Sequence, residues 1–291
     1  MKVLFDLSNI FFFPNHSMKA VLKNACIHLA IPFLALNASL PAEFNPQADD
    51  IDSNPYISPK AREAMRPYLL PTTHRLHCIM DSIFLKTRAT TDEKSFRKAG
   101  FQIIAKGPRS FVCVAKHKKF PRYLVKVYLD DELQKKLNMQ SWKWLVKRCK
   151  GAKKIRDIIR QNNFRHFVVP AKWIYCLPPH PSPPNDAQHT RHLAILVVER
   201  MKLVSESKNL KAWKHKITRE HLDELFEILR KAKGSSYRPD NIAYTTEGTF
   251  AFIDTEYPFA GPDFGRIRKY LNREMRNYWD RLVISHGYKL N

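Results

Sequence analysis

Two short stretches near the C-terminal end carry side-chain oxygens at a suggestive spacing. Arg238-Pro239-Asp240-Asn241-Ile242 opens, and Phe252-Ile253-Asp254-Thr255-Glu256 closes, a segment that reads as a β-hairpin, with strand-like residues 242–244 and 249–253 around the turn-like Thr245-Thr246-Glu247-Gly248. Asn241 and Asp254 stand thirteen residues apart, which suits a hairpin that brings an amide oxygen and a carboxylate to one place. Oxygen donors of this kind are what a hard cation such as magnesium prefers. Taken singly, each has a plainer reading: Pro239-Asp240-Asn241 is an ordinary turn, and Asp254 a cap at the end of a strand.

The elements that must position these residues can be read from apolar periodicity. Residues 101–105, 111–115 and 123–129 alternate apolar and polar, separated by Gly107-Pro108-Arg109-Ser110 and by residues 117–121, and predict an antiparallel meander. Residues 131–163 are strongly charged, with Leu133, Leu137, Trp142, Leu145, Val146, Ile155, Ile158 and Ile159 at helix-like intervals, and predict two helices broken near Gly151. Residues 167–175 and 193–198 read as strands flanking a proline-rich loop. The clearest helix spans 218–233: Thr218 caps it, Ile217 and Leu222 form a staple, Leu222, Leu225, Phe226 and Leu229 make one stripe, and Gly234 ends it. Residues 72–87 predict a shorter helix, and residues 267–284 a final amphipathic one.

Composition bounds the rest. The chain has 291 residues, 44% of them hydrophobic, enough for a sizeable core. Fifty Lys and Arg against 27 Asp and Glu give a net charge of +23, which selects anionic partners by sign without naming one. A solvated basic face is the plainer reading, because no zinc-finger, RNP or basic-zipper pattern accompanies the charge to point to nucleic acid. The five cysteines include no C-x-x-C pair, which argues against a structural zinc site. Residues 18–44 run from two lysines through an apolar stretch to small residues, the order of a secretory signal; translation starting at Met18 and cleavage near Ala38 would fit, so the protein is expected to be exported, or cytoplasmic if the segment is retained. The uninterrupted apolar stretch is too short for a permanent membrane span. Residues 39–71, rich in Pro, Asn, Asp and Ser, read as a linker or irregular arm.

Five strands with a helical insertion, then a helix, a loop and a hairpin ending in Asp254 form an element order that resembles the protein-kinase superfamily. Arg238-Pro239-Asp240-Asn241-Ile242 is similar to the family's K-P-E-N-I, and Ile253-Asp254-Thr255 stands where it has D-F-G. The resemblance covers about residues 101–259. It implies an α+β, two-lobe fold, with an antiparallel five-stranded N-lobe over about residues 72–200 and an abbreviated helical C-lobe over about 201–291. It also implies ATP and magnesium as ligands, with Asn241 and Asp254 holding the metal and Lys126, in Leu124-Val125-Lys126-Val127, holding the phosphates. Asp157 stands for the helix glutamate that partners this lysine, Gly107 and Ser110 belong to the phosphate-covering turn, and backbone groups near Glu199 and Met201 would read adenine. The family's catalytic aspartate is missing: Ser236 occupies the expected base position.

Three functions follow. The chain is an atypical ATP- and magnesium-dependent phosphotransferase acting on a protein acceptor, a catalytically inactive pseudokinase scaffold that binds nucleotide, or a basic protein for nucleic acid or an anionic membrane. The missing aspartate favours the second, since loss of the group that orients the substrate hydroxyl lowers phosphoryl transfer while leaving nucleotide binding intact.

Overall fold

The computed structural model describes residues 51–107, 112–132, 140–234, 238–255 and 260–290. All of these fall in one compact unit. The signal-like run, Ser110 and Ser236 lie outside the described residues.

The centre is an antiparallel sheet of β1 (Phe101–Lys106), β2 (Cys113–His117), β3 (Tyr123–Val127), β5 (Lys172–Cys176) and β6 (Ala194–Glu199), ordered β1-β2-β3-β6-β5. Strand alternation sends successive side chains to opposite faces. Val125, Val127, Tyr175, Ile195 and Val197 turn to one face, where they pack with Met80 and Phe84 of α2 (Arg75–Phe84) and Phe96 of α3 (Glu93–Lys98). Ile174, Leu196 and Val198 turn to the other and pack with Met65 of α1 (Pro59–Met65) and with Trp142, Leu145 and Cys149 of α4 (Ser141–Gln161). Both faces are therefore covered. The stretch expected to be a linker holds α1 within it: Ser58 accepts a hydrogen bond from the Ala61 amide as its cap, and Ile57, Ala61 and Met65 are buried. Three apolar residues at helical spacing outweighed the surrounding turn-forming composition.

A further core gathers Trp213 of α5 (Glu206–His215), Leu222, Leu225, Phe226 and Leu229 of α6 (Arg219–Ala232), Ile267 of α7 (Gly265–Arg268), and Met275, Trp279 and Val283 of α8 (Arg273–Ser285). Beneath them lies a small sheet of β4 (Phe167–Val168), parallel to β8 (Phe250–Phe252), which pairs antiparallel with β7 (Ile242–Tyr244). Gly248 supplies the positive φ of +89° in the β7–β8 turn. Ile155 and Ile158 bring the C-terminal half of α4 into this core, so one helix serves both the large sheet and the helical layer.

Several elements depart from the periodicity reading. α4 runs unbroken through Gly151. The strand expected over 167–175 divides at Pro170, its halves joining different sheets. The final helix is two, because the Asn272 side chain accepts from the Met275 amide and starts α8 afresh. α6 is capped by Thr218 as expected, but Lys233, at φ +50°, takes the left-handed position at its C-terminus. No helix among the described residues is long and apolar enough to cross a membrane, and Cys78, Cys113 and Cys149 are free thiols.

Candidate functional site

Strand register places two lysines on one face. Lys126 of β3 lies opposite Leu196 of β6, and Lys172 of β5 lies opposite Val198 of the same strand. Leu196 and Val198 both belong to the face covered by α4, so both lysines point toward that helix. Lys172 is buried, and its ammonium donates to the Ile253 carbonyl at 3.2 Å and to the Thr255 hydroxyl at 2.9 Å. It thus grips the residues on both sides of Asp254.

α4 meets the same segment. The Thr255 hydroxyl donates to the Arg148 carbonyl at 2.7 Å, and a Cβ added at Gly151 would stand only 2.2 Å from the Thr255 carbonyl oxygen. Glycine is required here for close backbone approach rather than as a helix break. Three residues before it, the Arg148 side chain is buried, and its Nε lies 3.6 Å from Asp254 Oδ1.

The hairpin supplies the remaining wall. Asn241 and Ile242 both donate their amides to the Arg238 carbonyl at 2.8 Å, closing the turn before β7. Asn209 of α5 braces that turn, donating to the Pro239 carbonyl at 2.8 Å and accepting from the Tyr244 amide at 2.8 Å. The Asn241 carbonyl accepts from the Ile253 amide at 2.9 Å, which seats Asn241 beside the Asp254 segment. Asp240 is exposed and pairs with Arg238 at 2.8 Å.

Electrostatics mark Asp254 as the focus. Burial pushes its carboxyl up, but the charges of Lys126, Arg148 and Lys172 outweigh that and hold it at about 2. Lys172 moves the other way: burial, reinforced by the positive charge of Lys126, brings its ammonium down to about 7. The Asp254 side chain nevertheless keeps 29% of its surface exposed.

The structure therefore seats the Asn241 backbone against the Asp254 segment and turns Lys126 to the same side, where its charge acts on the Asp254 carboxyl. It places Asp157 elsewhere, as a correction to its expected role beside Lys126: its carboxylate pairs with Lys153 at 2.8 Å and Arg160 at 3.3 Å on the outer side of α4. The nine residues from Arg148 to Asp157 correspond to about 13 Å of helix rise, too far along the axis to share one site. Gly107 donates its amide to the Val112 carbonyl at 3.0 Å and closes the β1–β2 connection. Glu199 ends β6, with its amide donating to the Ala171 carbonyl at 2.9 Å and its carboxylate accepting from the Ala171 amide at 3.2 Å; Met201 follows, half-buried, on the way to α5.

Arg148, Gly151, Lys172 and Thr255 are functional candidates that the motifs did not reveal. Two of them carry a signal in the sequence. Arg148 falls in phase with the apolar positions Leu145, Cys149 and Ala152 of α4, and Lys172 with the inward-facing Ile174 and Cys176 of β5.

Magnesium fits this arrangement poorly. Asp254 Oδ1 is buried without a hydrogen-bond partner, as a metal ligand should be, yet the Arg148 guanidinium already faces that oxygen and two lysines act on the same carboxylate. A dication at this oxygen would have to compete with the Arg148 guanidinium 3.6 Å away. Among the described residues no group of three or more His, Cys, Asp or Glu is placed to hold a metal.

No protein-family model matches the chain, and no curated protein does. Solved structures give distant likenesses. Rv3197 of Mycobacterium tuberculosis, solved with erythromycin, is 14% identical over 80% of this chain and 66% of its own, with a TM-score of 0.31. The MAP kinase LmaMPK10 of Leishmania major is 15% identical over 58% of this chain and 51% of its own, with a TM-score of 0.31. The bifunctional kinase-methyltransferase WbdD is 16% identical over 50% of this chain and 29% of its own, with a TM-score of 0.26. This chain thus spans less than two thirds of each.

Proposed function

We propose that this chain is a kinase-like nucleotide-binding protein of the pseudokinase type, built to hold a nucleotide rather than to transfer its phosphoryl group. The observation that carries the reading is the convergence of the strand lysine Lys126 and the hairpin residue Asp254, two residues chosen from separate motifs, in one electrostatic cluster. The surrounding architecture supports it: the sheet order β1-β2-β3-β6-β5, with α4 inserted after the third strand and packed on the sheet, is compatible with a kinase N-lobe. The separate helical core beneath is then the abbreviated second lobe.

Two departures favour binding over catalysis. Ser236 stands where the base is expected and cannot accept a proton at neutral pH as a carboxylate does. Arg148 of α4 is what faces Asp254, at 3.6 Å, while Asp157, the acid expected to hold the lysine, pairs with Lys153 and Arg160. Export belongs to the same proposal, resting on the basic, apolar and small-residue order after Met18, and N-terminal sequencing of the native protein tests it.

Titration of the full chain with a fluorescent ATP analogue, beside γ-labelled ATP and a generic protein acceptor, tests the function. Binding that weakens in Lys126→Met, without label transfer, is the expected result. Label transfer would make the chain an active phosphotransferase. Absence of binding would return the basic, anion-binding reading suggested by the net charge.

A further inference from the structure

The face of the large sheet that turns away from α4 carries three aromatic rings in contact. Tyr123 opens β3 and Trp173 lies on β5 opposite Val197, both on the face covered by α2, and His74 caps that helix by accepting the Leu76 amide at 3.1 Å. The ring centroids stand 5.9 Å apart for His74 and Tyr123, 5.8 Å for His74 and Trp173, and 6.1 Å for Tyr123 and Trp173. All three rings are half-buried, and no two are stacked face to face, the arrangement that would hide their π faces from a further ring. The same end of the sheet is basic. Arg75 follows His74, Lys118 and Lys119 lie in the β2–β3 turn, and Arg122 accepts the Arg200 amide on its carbonyl at 2.8 Å just before Tyr123. All of these but the half-buried Arg200 are exposed, and none has an acid partner among the described residues. Acids collect at the other end of the sheet, where Glu93, Asp131 and Glu132 act on one another beside Lys106.

We infer that this end of the sheet binds single-stranded nucleic acid, the rings of His74, Tyr123 and Trp173 stacking on its bases and the surrounding arginines and lysines holding its phosphates. Every base has a π face, and a phosphate follows each base along the strand, so aromatic rings fringed by cations match an unpaired strand whatever its sequence. A duplex keeps its bases stacked on one another and would meet the cations alone. An anionic membrane would call for apolar groups that stand out from the surface. The exposed large hydrophobic residues, Tyr56, Leu85, Leu210 and Ile284, all lie outside these segments. The three rings come from distant parts of the chain, which is why no linear motif announces them. The surface is separate from the nucleotide-binding cluster: Lys126 and Lys172 turn to the α4 face of the sheet, these rings to the other.

Fluorescence anisotropy of the full chain with a labelled oligothymidylate of about ten nucleotides, beside a duplex of the same length, tests this. Tryptophan emission supplies a second readout, because Trp142, Trp144, Trp213 and Trp279 are buried and Trp173 is the half-buried member of the five. The expected result is tighter binding of the single strand than of the duplex, with emission quenched as a base stacks on Trp173. Trp173→Leu is expected to weaken binding on the order of tenfold and to abolish the quench. Arg75→Gln and Arg122→Gln should each lower the slope of log affinity against log salt by about 0.7. Should Trp173→Leu fail to fold, judged by circular dichroism, the quench in the unaltered protein and the two exposed arginine variants carry the same expectation. Equal binding of strand and duplex with unchanged emission shows charge acting alone and overturns the inference. Adhesion to phosphatidylserine vesicles without oligonucleotide binding overturns it in favour of a membrane surface. No oligonucleotide binding, or unchanged affinity in folded Trp173→Leu, overturns it as well.

Discussion

Lys172 and Thr255 are joined by a 2.9 Å hydrogen bond that ties β5 of the large sheet to the residue after Asp254. The Thr255 hydroxyl passes the connection on to the Arg148 carbonyl at 2.7 Å, so a single side chain links strand, helix and hairpin. Thr255→Val keeps the shape of the side chain and removes the hydroxyl, leaving a buried ammonium short of an acceptor. Urea unfolding of this variant is expected to show a loss of about 1–3 kcal/mol. An unchanged midpoint would mean that the linkage contributes nothing to the fold.

Gly151→Ala tests the other half of the same junction. Alanine is the better helix former by about 1 kcal/mol, so on an isolated helix the change would stabilise. In this protein the new Cβ would stand 2.2 Å from the Thr255 carbonyl oxygen, which is backbone and cannot rotate away. The expected outcome is a net destabilisation of about 1–3 kcal/mol, the usual cost of overpacking, together with weaker ATP binding as the Asp254 segment is pushed off α4. A stabilised variant would show that the two backbones can separate freely.

This junction also shows where reading the sequence stops. Strands β1, β2, β3 and β6 of the large sheet and the β7–β8 hairpin were legible because alternation is local, whereas β4 and β5 were read as one strand because the division at Pro170 is set by the two sheets they join. Gly151 was misread as a break because the backbone it accommodates is Thr255, more than a hundred residues later. Arg148 was hidden among Lys143, Lys147, Lys150, Lys153, Lys154, Arg156 and Arg160: one cation among many is distinguished only by the face it occupies, and that face is fixed by packing against the sheet. α5 escaped because only Ala212 and Trp213 among its apolar residues are buried, too few for a stripe, and its Asn209 serves the Pro239 turn through polar bonds instead.

A pH dependence follows from His221 at the start of α6. Burial, reinforced by the neighbouring His166 ring, brings its pKa down to about 4, against an ordinary value near 6.5 in the unfolded chain. The folded state excludes a proton that the unfolded state binds, so stability rises with pH between those values and falls as pH drops through them. His221 also closes a capping box with Thr218, accepting its amide at 3.4 Å, and glutamine serves at that position equally well. His221→Gln is therefore expected to keep the neutral-pH thermal midpoint within a few degrees while flattening its decline between about pH 6.5 and 4. A decline as steep as that of the unaltered protein would place the responsible proton elsewhere.

Asp157 gives the last test, because sequence position and structure assign it opposite roles. By its place upstream of residues 164–167 it stands for the acid that partners Lys126, and in that role its removal would leave a phosphate-binding lysine without its guide. In the structure its carboxylate instead pairs with Lys153 and Arg160, whose side chains are 64% and 79% exposed. Pairs of this kind on a helix surface contribute about 0.3–0.5 kcal/mol each and are weakened by salt. Asp157→Asn should accordingly change urea stability by less than about 1 kcal/mol, with the difference shrinking further in high salt, and should leave ATP affinity untouched. The contrast with Lys126→Met is the decisive comparison. If Asp157→Asn weakens ATP binding as much as Lys126→Met does, the acid serves the strand lysine after all, and its surface pairs with Lys153 and Arg160 are not its main role.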